Sequence, residues 1–192
     1  MIKLAELTST YRANLVAKSY QGEINKSDKV LDIGCGTGIV ADKISNIFGC
    51  LISGCDIENY LLKKIRFREM KDIKKIPFKK NEFDVSMFND VLHHISYSTQ
   101  KQIIKEAMRV SRKLLIFEMN PQLTGKLIDL VINKIHNPNM QILYTYRSFQ
   151  EWRKLINTAG FSVKLLRYEK PILYPIEHIV MKVYNSVQEN NV

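Results

Sequence analysis

Residues 30–38 have the sequence VLDIGCGTG, an apolar stretch that runs directly into three closely spaced glycines. The apolar part, from Lys29 to Ile33, predicts a short buried strand, and the residues from Ile39 to Phe48 show helical periodicity. Glycines between a strand and a helix let the backbone turn tightly and let a ligand approach it closely. A dinucleotide fingerprint requires G-x-G-x-x-G, but its third glycine position holds Ile39. The stretch therefore predicts a loop for a ligand without a pyrophosphate, with a purely structural glycine turn as the alternative.

Strands and helices alternate along most of the chain. A helix is predicted over the first twenty residues. Gly49 and Gly160 are predicted to end the helices at 39–48 and 149–158. The other predicted elements are strands at 29–33, 50–57, 70–73, 83–89, 113–119, 161–168 and 178–184, and helices at 39–48, 59–67, 99–110 and 149–158. This alternation predicts an α/β fold with a doubly wound, mainly parallel sheet and helices on both faces. Since no linker or repeat divides the chain, we expect residues 1–192 to form a single domain.

The composition is that of an ordinary globular protein. The 192 residues are 45% hydrophobic and 25% charged, with no apolar run of transmembrane length. We expect a cytoplasmic protein, because the N-terminus also lacks the pattern of a signal peptide. Three cysteines without a CxxC pair predict no metal site.

The net charge of +10 is concentrated in one stretch. Between Lys63 and Lys80, nine basic residues face only Glu69 and Asp72, giving a local net charge of +7. A solvated surface is the favoured interpretation, and a contact surface for an anionic partner such as RNA or a membrane surface is the alternative.

Two acidic residues stand at the ends of predicted neighbouring strands. Asp56 ends the second strand, 24 residues after Asp32. In open α/β sheets an acid at this point accepts hydrogen bonds from ribose hydroxyls. A lone aspartate at the end of a strand would more often be a helix cap. The interpretation as a ribose-binding residue therefore depends on Asp56 occurring together with Asp32 and the glycine loop.

Taken in order, six blocks of the sequence resemble the class I S-adenosylmethionine-dependent methyltransferases. The chain is similar to methyltransferases of type 11 and of ubiquinone and menaquinone biosynthesis. The blocks are VLDIGCGTG (30–38), GCDI (54–57), KDIKKIPF (71–78), EFDVSMFNDVLHHI (82–95), LLIFEMNP (114–121) and AGF (159–161). The resemblance implies a three-layer Rossmann-like fold with a seven-stranded sheet and a final antiparallel strand. It also implies S-adenosylmethionine as cofactor and S-adenosylhomocysteine as product.

The same resemblance implies a set of cofactor-binding residues. Asp32 and the loop residues Gly34, Cys35, Gly36 and Gly38 would face the methionine portion, as would Asn89. Asp56 would hold the ribose, with Ile57 packing on the adenine. Asp72 would accept a hydrogen bond from the adenine amino group, and Ile73 would contact the ring. A solvated loop acid is the alternative for Asp72, and a strand-end turn residue is the alternative for Asn89.

The acceptor side is less defined. His93 and His94 follow Asn89 closely, and either could serve as a base or contact the acceptor; packing at the end of the strand is the favoured alternative. Residues 1–25 form a predicted helical cap, and the insertion 120–148, with Tyr146 and Arg147, a predicted substrate lid. Simple packing of the apolar stripe from Leu123 to Ile135 is the alternative. The sequence nominates no general base.

The resulting hypothesis is a methyltransferase acting on a small-molecule acceptor. Methyl transfer chiefly needs alignment of the two reactants and exclusion of water, so a missing catalytic triad does not argue against an enzyme. One alternative is an RNA methyltransferase that uses the basic stretch from Lys63 to Lys80. The other is a non-catalytic protein that binds the cofactor and acts through a partner.

Overall fold

One seven-stranded sheet with helices on both faces organises the protein. The computed structural model describes residues 2–121, 145–170 and 176–186. The strands are β1 (Lys29–Ile33), β2 (Leu51–Asp56), β3 (Arg66–Glu69), β4 (Phe83–Asn89), β5 (Ser111–Met119), β6 (Ser162–Glu169) and β7 (His178–Tyr184). The helices are α1 (Ile2–Ser19), α2 (Ile39–Phe48), α3 (Tyr97–Val110) and α4 (Phe149–Thr158), with a short 3-10 helix at Leu92–His94. None of the described helices is long and apolar enough to cross a membrane.

The strand order is β3-β2-β1-β4-β5-β7-β6. Strands β1 to β5 pair in parallel, whereas β7 runs antiparallel to both β5 and β6. The predicted fold class, including its final antiparallel strand, is confirmed. Because β1 leads to β2 on one side and β4 leads to β5 on the other, the chain leaves a crevice between the ends of β1 and β4.

Two apolar cores lie on opposite faces of the sheet. Leu114 and Ile116 of β5 pack on the face that α3 and α4 cover, and Leu115 and Phe117 pack beneath α1 and α2. Successive side chains of a strand point to opposite faces, so one strand supplies both cores. This arrangement gives the three layers and fixes the carboxyl ends of the parallel strands at one edge.

The predicted helix at 59–67 and strand at 70–73 are wrong. The chain has no regular structure from Ile57 to Ile65, and β3 begins at Arg66. The amides of Leu62 and Lys63 donate to the carbonyl of Thr37, at 2.9 and 3.3 Å. Docking on the glycine loop therefore overrides the local helical pattern, as tertiary contacts commonly do.

The other predicted elements lie within a few residues of their observed bounds. Helix α4 begins with a reciprocal capping box between Ser148 and Glu151, which accounts for its sharp start. Within the insertion 120–148, the stripe from Leu123 to Ile135 falls outside the described residues.

Candidate active site

A cavity of about 620 Å³ lies at the carboxyl ends of β1, β2 and β4. Small-molecule sites in proteins commonly have volumes of about 300–1,000 Å³. Its lining side chains come from the glycine loop, the strand ends and α1, and include Ser9, Arg12, Asp32, Ile33, Gly34, Cys35, Gly36, Thr37, Ile39, Val40, Asp56, Ile57, Tyr60, Met70, Ile73, Phe88, Asn89, Asp90, Val91, His94, Ile95 and Ile103. We call residues 32–38 and 56–57 the glycine-loop end of the cavity, and residues 89–95 the β4 end.

The glycine-loop end is shaped by backbone conformations that favour glycine. Gly34 has φ 71°, and a β-carbon there would come within 2.6 Å of the Val91 side chain. Gly36 has φ 50°, and a β-carbon there would meet no atom within 4 Å. One glycine thus allows close packing against the β4 end, and the other leaves open space beside the backbone for a ligand.

Asp56 holds the glycine loop from the end of β2. Its carboxylate accepts hydrogen bonds from the amides of Gly36 (2.8 Å) and Ile57 (2.7 Å). Burial raises the pKa of this carboxyl, and the two amide donors oppose that rise. Each carboxylate oxygen keeps further acceptor capacity, so the group can take additional donors such as hydroxyls.

A buried hydrogen-bond chain joins β1, β4 and the segment after α1. The Tyr20 hydroxyl donates to Asn89 Oδ1 at 2.8 Å, and Asn89 Nδ2 donates to Asp32 Oδ1 at 2.9 Å. Burial raises the pKa of Asp32 to about 7, although the Asn89 bond opposes the rise. These hydrogen bonds fix the orientation of the Asn89 amide. A cation bound beside Asp32 would lower the pKa of its carboxyl and so favour the ionised form.

Asp90 ties α1 and β7 to the β4 end. Its backbone is left-handed, with φ 55°. Arg12 Nε donates to Asp90 Oδ2 at 2.8 Å, and His178 Nε2 lies 3.2 Å from Oδ1. Burial alone would raise the pKa of Asp90, but the charges of His178 and Arg12 outweigh it and hold the pKa well below its usual range. A partly buried carboxylate therefore anchors α1, whose residues Ser9 and Arg12 line the cavity.

Glu118, which the sequence prediction missed, supports the 3-10 helix from below. This buried residue of β5 accepts hydrogen bonds from the amides of Val91 (2.7 Å) and Leu92 (2.6 Å). Its second oxygen lies 2.7 Å from His93 Nδ1. A single acidic residue within the apolar strand sequence LLIFEM was the available signal, because carboxylates are rarely buried without partners.

The two adjacent histidines have different surroundings. His93 is 3% exposed, is bound to Glu118 and stacks on Tyr146 at 5.2 Å between ring centroids; it does not line the cavity. His94 does line the cavity. Tyr146 and Arg147 also lie outside the lining, and Arg147 donates to Gln100 and stacks over the Tyr97 ring. Of the predicted acceptor-side residues, only His94 therefore reaches the cavity.

Eight of the ten predicted cofactor residues line the cavity, and two do not. Gly38 lies at the start of α2, where a β-carbon would come within 2.8 Å of Leu61. Asp72 lines a separate, more open cleft of about 510 Å³, and accepts from the amide of Lys74 at 2.8 Å. Their predicted cofactor contacts stay predictions.

One group of side chains in the described residues has the composition of a metal site. Ligand atoms of Asp90, His93 and Glu118 lie within 4.8 Å of one another. Arg12 and His178 already face Asp90, and two amides and His93 face Glu118. These carboxylates serve as acceptors in a hydrogen-bond network, so the donor set favours that role over a cation site.

The glycine-loop end fits S-adenosylmethionine. Open space adjoins Gly36, and the N-terminus of α2 faces the cavity through Ile39 and Val40, which suits a carboxylate. Asp56 offers acceptors for hydroxyls, and the exposed side chains of Ile57 and Ile73 give apolar surface for a ring. Main-chain donors, a carboxylate and apolar surface thus occur together in one cavity.

Comparison with known proteins agrees with this geometry. A family model described as a methyltransferase domain matches residues 31–116. An uncharacterised protein of Methanocaldococcus jannaschii is 32% identical over 191 residues, which covers 90% of this chain and 79% of that protein.

Solved structures share the fold. The magnesium protoporphyrin IX methyltransferase of Synechocystis with bound S-adenosylhomocysteine superposes with a TM-score of 0.66 at 19% identity, covering 92% of this chain and 83% of that one. The 1,6-didemethyltoxoflavin-N1-methyltransferase of Burkholderia thailandensis gives a TM-score of 0.66 at 16% identity, covering 92% and 78%.

Proposed function

Because this chain belongs to the class I S-adenosylmethionine-dependent methyltransferases, we propose that it transfers the methyl group to a small-molecule acceptor. S-adenosylmethionine is its cofactor. The observation that carries the proposal is the single cavity of about 620 Å³ shared by the glycine-loop end and the β4 end. Ser9 and Arg12 of α1 line that cavity, which supports the predicted role of the N-terminal helix as a cap over a small ligand.

The residues of the cavity have separate tasks in this proposal. S-adenosylmethionine supplies a methyl carbon on a positively charged sulfur, and displacement at that carbon depends on alignment. Asp32 and Asn89 hold the methionine end, Asp56 holds the ribose hydroxyls, and Ile57 packs on the adenine. Apolar side chains at the β4 end, Val91 and Ile95, exclude water from the acceptor.

The names of the fold relatives support a small acceptor. The two solved methyltransferases are named for magnesium protoporphyrin IX and 1,6-didemethyltoxoflavin. Both named compounds are small molecules. Each of the two enzymes is less than 20% identical to this chain. The support therefore concerns the size class of the acceptor and not its identity.

An acceptor screen tests the proposal. Purified protein, S-adenosylmethionine and a panel of phenols, amines, thiols and lipophilic alcohols are assayed for release of S-adenosylhomocysteine. We expect turnover with at least one compound class, and loss of cofactor binding in Asp56→Ala by calorimetry. Tight cofactor binding without turnover on any small molecule would instead favour the non-catalytic alternative or an RNA acceptor.

The basic stretch supports RNA as a second candidate acceptor. All nine basic side chains between Lys63 and Lys80 are exposed, on and around the edge strand β3. RNA binding should weaken steeply with salt, and the double variant Lys63→Glu/Lys64→Glu should reduce its salt dependence. Binding that is indifferent to both changes would exclude this candidate.

We also propose a cytoplasmic location. All three cysteines are free and buried in the described structure, although the amide of Cys35 donates to the carbonyl of Cys55 at 3.2 Å. Unpaired thiols are typical of a reducing compartment. Fractionation of cells that produce the protein checks this assignment.

A further inference from the structure

We propose that the loop between β2 and β3 docks this protein on an anionic lipid bilayer. Leu62 enters the interface of the bilayer, and the basic side chains around it contact the anionic headgroups. The inference goes beyond the proposed transfer reaction and does not depend on it, because docking needs neither the cofactor nor a methyl acceptor.

Large apolar side chains are exposed along this loop and just after β3. Of the eight large hydrophobic side chains that are exposed in the described structure, four lie between residues 57 and 73. They are Ile57 (50% exposed), Tyr60 (47%), Leu62 (75%) and Ile73 (38%), and we call them the apolar patch. Single exposed apolar residues are ordinary at a protein surface, whereas a cluster of them indicates a contact surface.

The apolar patch is gathered at one end of the cavity. Ile57, Tyr60 and Ile73 all line the cavity of about 620 Å³. The amide of Leu62 donates to the carbonyl of Thr37, a residue that lines the same cavity, at 2.9 Å. The four side chains therefore border the glycine-loop end. Because Ile57 and Ile73 are proposed to face the adenine, Tyr60 and Leu62 are the members left to contact another surface.

Basic side chains surround the apolar patch. From residue 57 to residue 75, seven basic residues stand against three acidic ones, a net charge of +4, and all ten are exposed. Lys63 and Lys64 follow Leu62 directly, and the amide of Lys63 donates to the same Thr37 carbonyl at 3.3 Å. Exposed apolar side chains among basic ones bind anionic bilayers, since apolar burial and attraction to the headgroups act together.

The aromatic side chains of this stretch favour a bilayer over RNA. Proteins that bind single-stranded nucleic acid stack bases on accessible aromatic rings. Phe78 is buried, with the Arg68 guanidinium 4.6 Å from its ring centroid, and Phe67 is half-buried. Within residues 57–80, all of which the structure describes, Tyr60 is thus the only exposed aromatic ring. The most exposed large apolar side chain is instead the aliphatic Leu62.

Sedimentation with vesicles tests the electrostatic part of the proposal. The probes are vesicles of phosphatidylglycerol and phosphatidylcholine in equal parts, and vesicles of phosphatidylcholine alone. We expect the wild type, without cofactor, to bind the first and to ignore the second. Lys63→Glu/Lys64→Glu should lower the partition coefficient at least about 30-fold. Arg153→Glu/Lys154→Glu makes the same charge change at exposed residues of α4 and should lower it less than about fivefold, because salt screens distant charges.

A second pair of variants tests the apolar contact. Leu62→Ser keeps the backbone amide that binds Thr37, and it should weaken vesicle binding about 5- to 20-fold. Leu51→Ser is the control and should bind like wild type, because Leu51 is 70% exposed at the opposite end of β2. The fluorescence of Leu62→Trp should shift to the blue on anionic vesicles, and that of Leu51→Trp should not. The single native tryptophan, Trp152, is buried and gives a constant background.

Three results would overturn the proposal. One is a wild-type protein that stays in solution with the anionic vesicles. Another is an equal loss in the variant and the control of either pair, which would indicate attraction by the net charge alone. The third is binding to RNA without binding to vesicles, which would assign the basic stretch to the second candidate function. A failed acceptor screen would leave the vesicle result unchanged, so the two proposals fail separately.

Discussion

Main-chain groups and two strand-end carboxylates form the glycine-loop end of the cavity, whereas side chains from three distant parts of the chain support the β4 end. At the first end, the Asp56 carboxylate accepts hydrogen bonds from the amide of Gly36, in the loop after the neighbouring strand β1, and from the amide of Ile57. At the second, Arg12, Glu118 and His178 converge on residues 89–93. The first end is therefore built from contacts that are local in the sheet and the adjoining loop, and the second depends on the whole fold. Changes at the two ends should separate cofactor affinity from stability.

The largest effect should come from removing the carboxylate beneath the β4 end. Glu118→Ala deprives the amides of Val91 and Leu92 and the His93 ring of their buried acceptor. We expect the free energy of unfolding to fall by about 3–5 kcal/mol. Urea denaturation measures it, with Glu118→Gln, which keeps one acceptor oxygen, as the matched variant with a smaller loss. Equal stability of Glu118→Ala and wild type would show that this network is not a support.

Asp32 should make stability depend on pH. Its folded-state pKa of about 7 lies above the ordinary value of 3.8. The folded state thus holds this proton more tightly, and stability from this group is lost as pH rises from about 4 to about 7. The shift corresponds to at most about 4 kcal/mol. Asp32→Asn should remove that dependence, raising the melting temperature of the cofactor-free protein at pH 8 relative to wild type. A parallel pH profile for the two proteins would contradict the assignment.

Asp56→Ala should damage the glycine-loop end while leaving the β4 end intact. Losing the acceptor for two loop amides and for ribose hydroxyls should weaken cofactor binding by about 2–3 kcal/mol, or about 30- to 150-fold. Calorimetry with S-adenosylhomocysteine measures the change. Asp72→Ala is the comparison, because Asp72 lines the other cleft and its predicted contact with the adenine is untested. A change in cofactor affinity below about threefold would argue against that contact, and a large loss would support it.

Tyr20→Phe should have the smallest effect. It should lower stability and cofactor affinity together. The variant removes one buried hydrogen bond to Asn89 Oδ1 and should cost about 1 kcal/mol of stability. Because Asn89 also donates to Asp32, cofactor affinity should fall by about two- to fivefold. Denaturation and calorimetry on the same samples test both values. Loss of stability alone would mean that the Asn89 amide keeps its orientation without Tyr20.

Sequence reasoning worked where structure depends on neighbours in the chain. β1, α2 and α4 have the predicted bounds, because strand-to-glycine and capping signals are local. Asp32 and Asp56 were found for the same reason, because each lies near the end of a predicted strand, and both line one cavity; their contacts with the cofactor stay predictions.

The β4 end was less predictable because its contacts join residues far apart in the sequence. Arg12 and Asp90 are 78 positions apart, and no local pattern links them. The sequence alone could not assign different surroundings to the adjacent residues His93 and His94. The path of the 3-10 helix places His93 against Glu118 and His94 at the cavity. The helix predicted at 59–67 failed similarly, since docking on Thr37 decides that segment.

The exposed edge strand β3 has a consequence for solubility. It is the terminal strand of the sheet, and Arg66, Arg68 and Glu69 are all exposed on it. An unpaired edge is a template on which strands of other molecules can add, and charged side chains at such an edge oppose that addition. We therefore expect the clustered positive charge around β3 to oppose edge-to-edge aggregation of the sheet, whichever acceptor the enzyme methylates.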